Sequence, residues 1–387
     1  MHRLSRLHKA LAIALIPGPA WAQQTALPPN AVEPPTPAPA HEVSSDAEAE
    51  PAKPKKKRDF LIAPVPISNP ASGTGIAVGA LMLYNPNNEP RQWISGAGAV
   101  LTNRGTKGVG LFHSMSLGQD KMRFFGLASY FHHNAKYTGV GIDAGDRNDV
   151  LLLHTNQLTA NGQALFRVFP HGYAGVRFRL ADINAKPDAA SASLTPPPPP
   201  DQLDSTLFAV GPTLAYDTRD SSTQPHRGVN LSASWLFGLK GLGDSFSHNK
   251  LALAANAYFP RGTDTVFAIR GSFCAAGGDV PYYDLCQFGA GADLRGYPAG
   301  RYRDRASWAV QAELRQHIGG RWGAVGFFGL GGIAPSAGDI FDNGNALPSA
   351  GLGVRYRPFK DNDIHLRIDI AIGKNDKGFN VGIAEAF

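Results

Sequence analysis

The residues best equipped for chemistry are few, and their spacing argues against an enzyme. Gly243-Asp244-Ser245-Phe246-Ser247 has the form of a lipolytic Gly-Asp-Ser block, whose serine would attack an ester once a His held by an Asp removed its proton. No Asp-x-x-His follows it, so the block reads as loop. The twelve His are scattered without the Cys/His spacing of a zinc site, and the adjacent pair His132-His133 reads as a strand end. No catalytic, cofactor-binding or metal-binding residue is expected. Cys274 and Cys286 lie in or beside a long Gly- and Arg-rich stretch, and in an oxidising compartment they would pair and stiffen its base.

The N-terminus supplies that compartment. His2, Arg3, Arg6, His8 and Lys9 precede an apolar run from Ala10 to Ile16 and the small-x-small site Ala20-Trp21-Ala22, which together read as a signal peptide over 1–22. The run is about half the length of a spanning helix, and no later stretch supplies about 20 apolar residues, so any membrane span must be made of strands. Residues 23–58 are rich in Ala, Pro and Glu and end on Lys53-Pro54-Lys55-Lys56-Lys57-Arg58, a composition too polar to fold. They read as a disordered periplasmic linker with a solvated basic end, and no soluble domain is expected ahead of residue 59. The net charge of +6 is spread along the chain rather than clustered with aromatics, which excludes nucleic acid and favours outer-membrane lipids and lipopolysaccharide as partners.

Residues 59–387 must then form the positioning elements. Short alternating segments are separated by Gly, Pro, Asn and Asp. Trp308, Val310, Ala312 and Leu314 oppose Gln311, Glu313 and Arg315; Ile364, Leu366, Ile368 and Ile370 oppose His365, Arg367 and Asp369; Val229, Leu231, Ala233, Trp235 and Phe237 oppose Asn230, Ser232 and Ser234. Period two with one apolar face fits lipid outside and a wet lumen inside, and connections that alternate long and short fit a single transmembrane antiparallel β-barrel. About fifteen strands can be marked, beginning at residue 75. Both ends on one side of the membrane require an even number, so the segment 150–168 is split at the hairpin signal Asn161-Gly162 to give sixteen, with fourteen the alternative. Trp93, Tyr130, Tyr137, Tyr258, Trp322 and Tyr356 suit interfacial girdles. Phe387 would end a strand whose Phe379, Val381 and Ile383 share its outward face, a C-terminal insertion signal for an outer-membrane barrel.

The stretch after residue 273 reads Gly278-Asp279-Val280-Pro281-Tyr282-Tyr283-Asp284, Gly289-Ala290-Gly291-Ala292-Asp293-Leu294-Arg295-Gly296-Tyr297 and Gly300-Arg301-Tyr302-Arg303-Asp304-Arg305. It resembles the Arg-Gly-Tyr/Phe loop of the BamA/TamA family, also called the bacterial surface antigen family. Tyr216-Asp217-Thr218-Arg219-Asp220 with Pro225 and Gly228, Glu313-x-Arg315, Arg367-x-Asp369, Glu385-Ala386-Phe387, and the run from Pro64 and Pro66 through Asn69-Pro70 to Gly73 and Gly75 match in order. The resemblance implies a long extracellular loop folded into the lumen, where Arg295, followed by Gly296 and Tyr297, pairs with acidic residues. The family often carries Phe-x-Asp-x-Gly where this chain has Phe327-Phe328-Gly329-Leu330-Gly331, so Arg295 must look elsewhere. Glu313 and Asp369, flanked by Arg315 and Arg367, are the candidate lumen partners.

Two functions follow as expectations. One is an assembly or translocation barrel that admits an outer-membrane protein or lipid client at a weak seam, beside the Gly-rich segment Gly73 to Gly79. The chain resembles a family member without POTRA receptor domains, for which a separate periplasmic partner would have to substitute. The alternative is a passive pore or structural barrel plugged by its Arg-Gly-Tyr loop, and an enzyme ranks behind both.

Overall fold

A computed structural model describes residues 59–69, 73–191, 196–221, 223–288, 293–341, 346–357 and 365–387. The expected signal peptide and linker lie outside the described residues, as do Gly289 to Ala292 and Ile364.

The elements in chain order are β1 (Asp59–Asn69), β2 (Gly73–Tyr84), β3 (Trp93–Thr102), β4 (Lys107–Leu117), β5 (Met122–Tyr137), α1 (Ile142–Arg147), β6 (Leu151–Phe169) and β7 (Gly172–Pro187). After α2 (Pro200–Leu203) come β8 (Asp204–Asp217), β9 (Gly228–Gly238), β10 (His248–Arg261) and β11 (Thr265–Gly278). Two short strands, β12 (Cys286–Gln287) and β13 (Arg303–Asp304), pair within the next loop. The chain closes with β14 (Ala306–Gly319), β15 (Trp322–Ala334), β16 (Leu347–Tyr356), β17 (Leu366–Ile372) and β18 (Lys377–Ile383). All but β12 and β13 form one 16-stranded sheet in sequence order, every neighbour antiparallel.

The sheet is a barrel wall because alternation gives each strand two unlike faces. Leu111, Leu214, Leu314, Leu352 and Ile370 are exposed, while Asn161, Arg179, Gln311, Glu313 and Asp369 on the opposite faces are buried. Apolar side chains facing out and polar ones facing in is the arrangement lipid requires, since the bilayer offers a charge no partner. Curvature is fixed by contacts across the interior: a single loop meets side chains of β7, β10, β14 and β17. Sixteen strands put the start of β1 and the end of β18 on the same rim. The connections 138–150, 188–203, 239–247, 279–305 and 335–346 crowd the other rim, and tight turns at 118–121, 170–171 and 262–264 line the first.

The count of sixteen stands, but its bookkeeping differs from the sequence reading. Residues 151–169 are one strand, paired continuously with β5 and, up to Arg167, with β7, so Asn161-Gly162 makes no turn. Asn161 is buried on the inner face, and a Cβ on Gly162 would come within 2.1 Å of the Phe178 ring; cross-strand packing overrides the local turn preference. The missing strand is β1, whose Pro64 and Pro66 look like breakers in sequence yet are tolerated on an edge strand. The Gly-rich segment expected to open the barrel is therefore β2.

Two aromatic assignments also change. Tyr130 and Trp322 are exposed as a girdle requires, whereas Tyr137 and Tyr258 are buried inside. Phe387 does not end a strand: β18 stops at Ile383, Ala384 takes a left-handed backbone with φ 64°, and the Phe387 side chain packs inward on Tyr258, Val266 and Ala268. The alternation of β18 cannot be extended past that turn.

Candidate functional site

The long loop between β11 and β14 fills the middle of the barrel, and each of its turns is held by a different chemistry. At its root Cys274 of β11 and Cys286 of β12 form a disulfide, as expected, and the β12 to β13 pairing brings the outgoing and returning strands together. The loop thus enters the lumen as a closed hairpin rather than as two independent chains.

Asp284 makes the first anchor. Its carboxylate meets Arg179 of β7, Lys250 Nζ at 3.1 Å and His248 Nε2 at 3.3 Å, both on β10. Burial alone would push this carboxyl up, but Arg179, Lys250 and His248 outweigh it and hold Asp284 well below the ordinary range. His248 is wedged between Asp284 and Asp244, whose Oδ2 lies 3.6 Å from Nδ1. Asp244 also accepts the Phe246 and Phe208 N–H groups, and the Ser245 hydroxyl accepts the Thr206 N–H. The Gly-Asp-Ser block is therefore loop scaffolding. Beside it Tyr282 packs edge-on against Tyr137 with centroids 5.3 Å apart, and burial pushes its phenol up to about 12.

Arg295 makes the deep anchor. Its Nη1 lies 2.8 Å from Asp369 Oδ2 on β17, its Nη2 pairs with Glu313 on β14, and its guanidinium stacks 3.4 Å from the Phe327 ring centroid. Both carboxylates anticipated from alternation are thus in contact with it. Glu313 also binds Arg315 at 2.9 Å, and Asp369 binds Arg355 of β16 at 2.6 Å. Glu385, beyond β18, closes the circuit at 2.7 Å from Arg355 and 3.8 Å from Arg315. Six side chains form a ring of alternating charge: Arg295, Glu313, Arg315, Glu385, Arg355 and Asp369. Every one of these side chains is less than a tenth exposed. Buried charges are tolerated only when fully paired, so loss of one member leaves a neighbour uncompensated. Burial pushes the Glu385 carboxyl up, but Arg315, Arg355 and His365 hold it well below the carboxylate range. Arg367 sits beside the ring, 3.6 Å from Asp369, rather than on Arg295.

The two residues after Arg295 grip the last hairpin. Gly296 has φ 106°, and a Cβ there would come within 3.0 Å of the Ile372 carbonyl, so only glycine lets the loop lie on the β17 end. The Tyr297 hydroxyl accepts the Lys374 N–H at 3.0 Å and donates to the Pro348 carbonyl. Further along, Arg301 reaches Asp376 and the Gly145 carbonyl of α1, and Tyr302 donates to Asp146 at 2.9 Å. Gly329 of β15, where the family pattern carries an acid, and the neighbouring Gly331 leave space for Leu294. The missing carboxylate is replaced by an apolar contact.

Sequence reasoning missed Arg355, His248 and Asp284. Arg355 lies two residues from Gly353 on the inward face of β16 and was open to the same alternation argument that found Glu313. Asp284 sits in an aperiodic loop, where no spacing marks it.

Phe387, the expected insertion signal, belongs to the same assembly. Its ring lies 5.3 Å from the Arg315 guanidinium, and its carbonyl oxygen accepts from Arg315 at 2.9 Å. No helix among the described residues is long and apolar enough to cross a membrane.

Comparisons with known proteins agree with this geometry. The family model of the Omp85 superfamily domain matches residues 119–387. Among solved structures the chain is similar to BamA from Haemophilus ducreyi lacking POTRA domains 1-3, at 14% identity and TM-score 0.54, covering 85% of this chain and 69% of that one. It is similar to CdiB from Acinetobacter baumannii at 11% identity and TM-score 0.54, covering 84% and 59%, and to CdiB from Escherichia coli at 11% and 0.55, covering 87% and 62%. The chain spans less than two thirds of either CdiB chain, and at such identities the likeness is one of fold. No curated protein matches the sequence.

Proposed function

Because the chain belongs to the Omp85 superfamily of outer-membrane barrels, we propose that it is an assembly or translocation barrel whose sheet edges, β1 and β18, receive an outer-membrane protein strand or a lipid. The observation that carries this reading is the grip of Arg295, Gly296 and Tyr297 on the β17 to β18 hairpin, which forms one end of the strand order. A loop that only filled a pore would need no hold on that hairpin; beside its anchors on β7, β10 and β14, this one is fastened to the edge that would have to move.

The other edge is weakened in a complementary way. A proline sits in a ladder with its nitrogen turned away from the paired neighbour, and Pro64 and Pro66 of β1, two residues apart, turn the same way. The edge of β1 that faces away from β2 therefore lacks two donors. A seam with missing donors on one strand and a latched hairpin on the other closes weakly until the latch is set. In this reading Phe387 acts as an insertion signal while the chain is unfolded, and folding withdraws it onto Arg315. A separate periplasmic protein would present the clients.

Photo-crosslinking tests the proposal directly. A photoreactive residue at Ile62 of β1 or Phe379 of β18, both exposed, is expected to capture other outer-membrane proteins far more than one at the exposed Leu214 of β8, away from these edges. Equal capture at all three positions, or none at the edges, would contradict it.

A further inference from the structure

The outward face of β4 to β7 ends, toward the long-loop rim, in cross-strand rows that are out of character with a lipid-facing surface. Val109, Tyr130, Leu158 and Asp182 lie side by side on β4, β5, β6 and β7. Directly above them run Lys107, His132, Asn156 and Asn184, and above those Asn134, His154 and Lys186. Lys136, two residues beyond Asn134, shares this face, and the exposed Arg104 adjoins it through its carbonyl, which accepts the Asn134 amide at 3.0 Å. On β4 to β7 these rows carry one carboxylate, Asp182, which is engaged by the Thr206 hydroxyl at 2.8 Å; the Asn184 row ends on β8 at the exposed Asp204.

Two imidazoles are set here in reciprocal pairs. His132 on β5 meets Asn156 Oδ1 on β6 at 2.7 Å, and His154 on β6 meets Asn134 Oδ1 on β5 at 2.8 Å. An amide oxygen only accepts, so Nδ1 of each ring donates, which fixes the ring and leaves Nε2 as an acceptor for a ligand hydroxyl. Crossing the roughly 25 Å apolar band needs about 9–11 residues. At 16, 19 and 16 residues, β5, β6 and β7 are longer than that, and the surplus carries this polar face. Tyr130, half exposed at the foot of the rows, marks the headgroup boundary.

We propose that this face binds the phosphorylated headgroup of the outer leaflet's glycolipid, with Lys107 and Lys186 on its phosphates and Nε2 of His132 and His154 accepting from its sugar hydroxyls. The charge is complementary, the depth is that of a headgroup, and the paired imidazoles are held ready by the fold. Such a site would fix the tall wall in the leaflet while the opposite edges of the sheet move.

The test uses the purified full-length barrel in detergent, titrated with diphosphorylated lipid A and with its dephosphorylated form, complexes being counted by native mass spectrometry. Each Lys near an anionic surface contributes about fivefold in affinity, so the phosphorylated form should bind roughly tenfold tighter or more. Lys107→Gln/Lys186→Gln should lose that preference while keeping heat-modifiable migration, and Arg227→Gln on the opposite rim should retain it. Equal binding of the two lipids by the unaltered barrel would overturn the proposal, as would a preference unchanged in the double variant. Should the double variant fail to fold, the unaltered barrel and the single variant Lys186→Gln, which should lose part of the preference, decide the matter by the same comparison.

Discussion

Arg295 and Asp369 lie 74 residues apart in sequence, yet Nη1 of one is 2.8 Å from Oδ2 of the other. That contact fastens the tip of a loop rooted on β11 to the penultimate strand of the sheet. It is one link in the ring through Glu313, Arg315, Glu385 and Arg355, so the loop, three wall strands and the C-terminal tail share one electrostatic unit.

Arg295→Ala should lower stability by about 3–5 kcal/mol, because it leaves Glu313 and Asp369 short of a buried partner. Arg295→Lys should recover little, since one ammonium cannot span both carboxylates as the planar fork does. Thermal unfolding in detergent, followed by heat-modifiable migration, checks both; an unchanged midpoint in Arg295→Ala would remove the latch from the account.

Phe387→Ala should cost about 3 kcal/mol through the lost contacts with Tyr258, Val266 and Ala268. If the residue is also an insertion signal, the variant should accumulate in the periplasm even under conditions where the folded protein is stable. Denaturant unfolding of the purified variant, set beside its yield in outer membranes, separates the two effects.

Acid should loosen the structure in a defined direction. Asp284 and Glu385 are held below the ordinary carboxylate range, so the folded chain binds fewer protons there than the unfolded one. Their stabilisation is fully present above the unfolded values of about 4 and is lost as pH falls through the lower folded values. Glu385→Gln should therefore show a shallower loss between about pH 5 and about pH 2. A slope identical to that of the unaltered protein would contradict the assignment.

Reducing the Cys274 to Cys286 bridge frees a closed segment with a sequence separation of 12. Closing a loop of that size is worth about 3 kcal/mol in the chain-entropy view. Reduced protein should expose the loop to protease from the long-loop rim while β5 to β7 stay intact; equal cleavage with and without reductant would show that the side-chain anchors suffice alone.

Much of this was legible in the sequence, and the exceptions have physical causes. Alternation placed Glu313 and Asp369 on the lumen face because a strand offers only two faces and lipid forbids a charge on one. The same rule assigned Val310 and Leu314 outward, and both are exposed. It failed at Phe387, because a left-handed turn at Ala384 ends the strand before the period could reach it. It failed at β1, where Pro64 and Pro66 hide a strand that has a neighbour on one side to tolerate them. Asp284 and His248 meet across a loop and a wall, a juxtaposition no local pattern records.

The most direct test is amide hydrogen exchange of the barrel in a lipid bilayer, with and without Arg295→Ala. The account predicts that residues 366–383 of β17 and β18 lose protection by an order of magnitude or more in the variant, while β5 to β7 do not change. Undiminished protection of β17 and β18 would contradict it, because the loop would then fill the lumen without holding the edge.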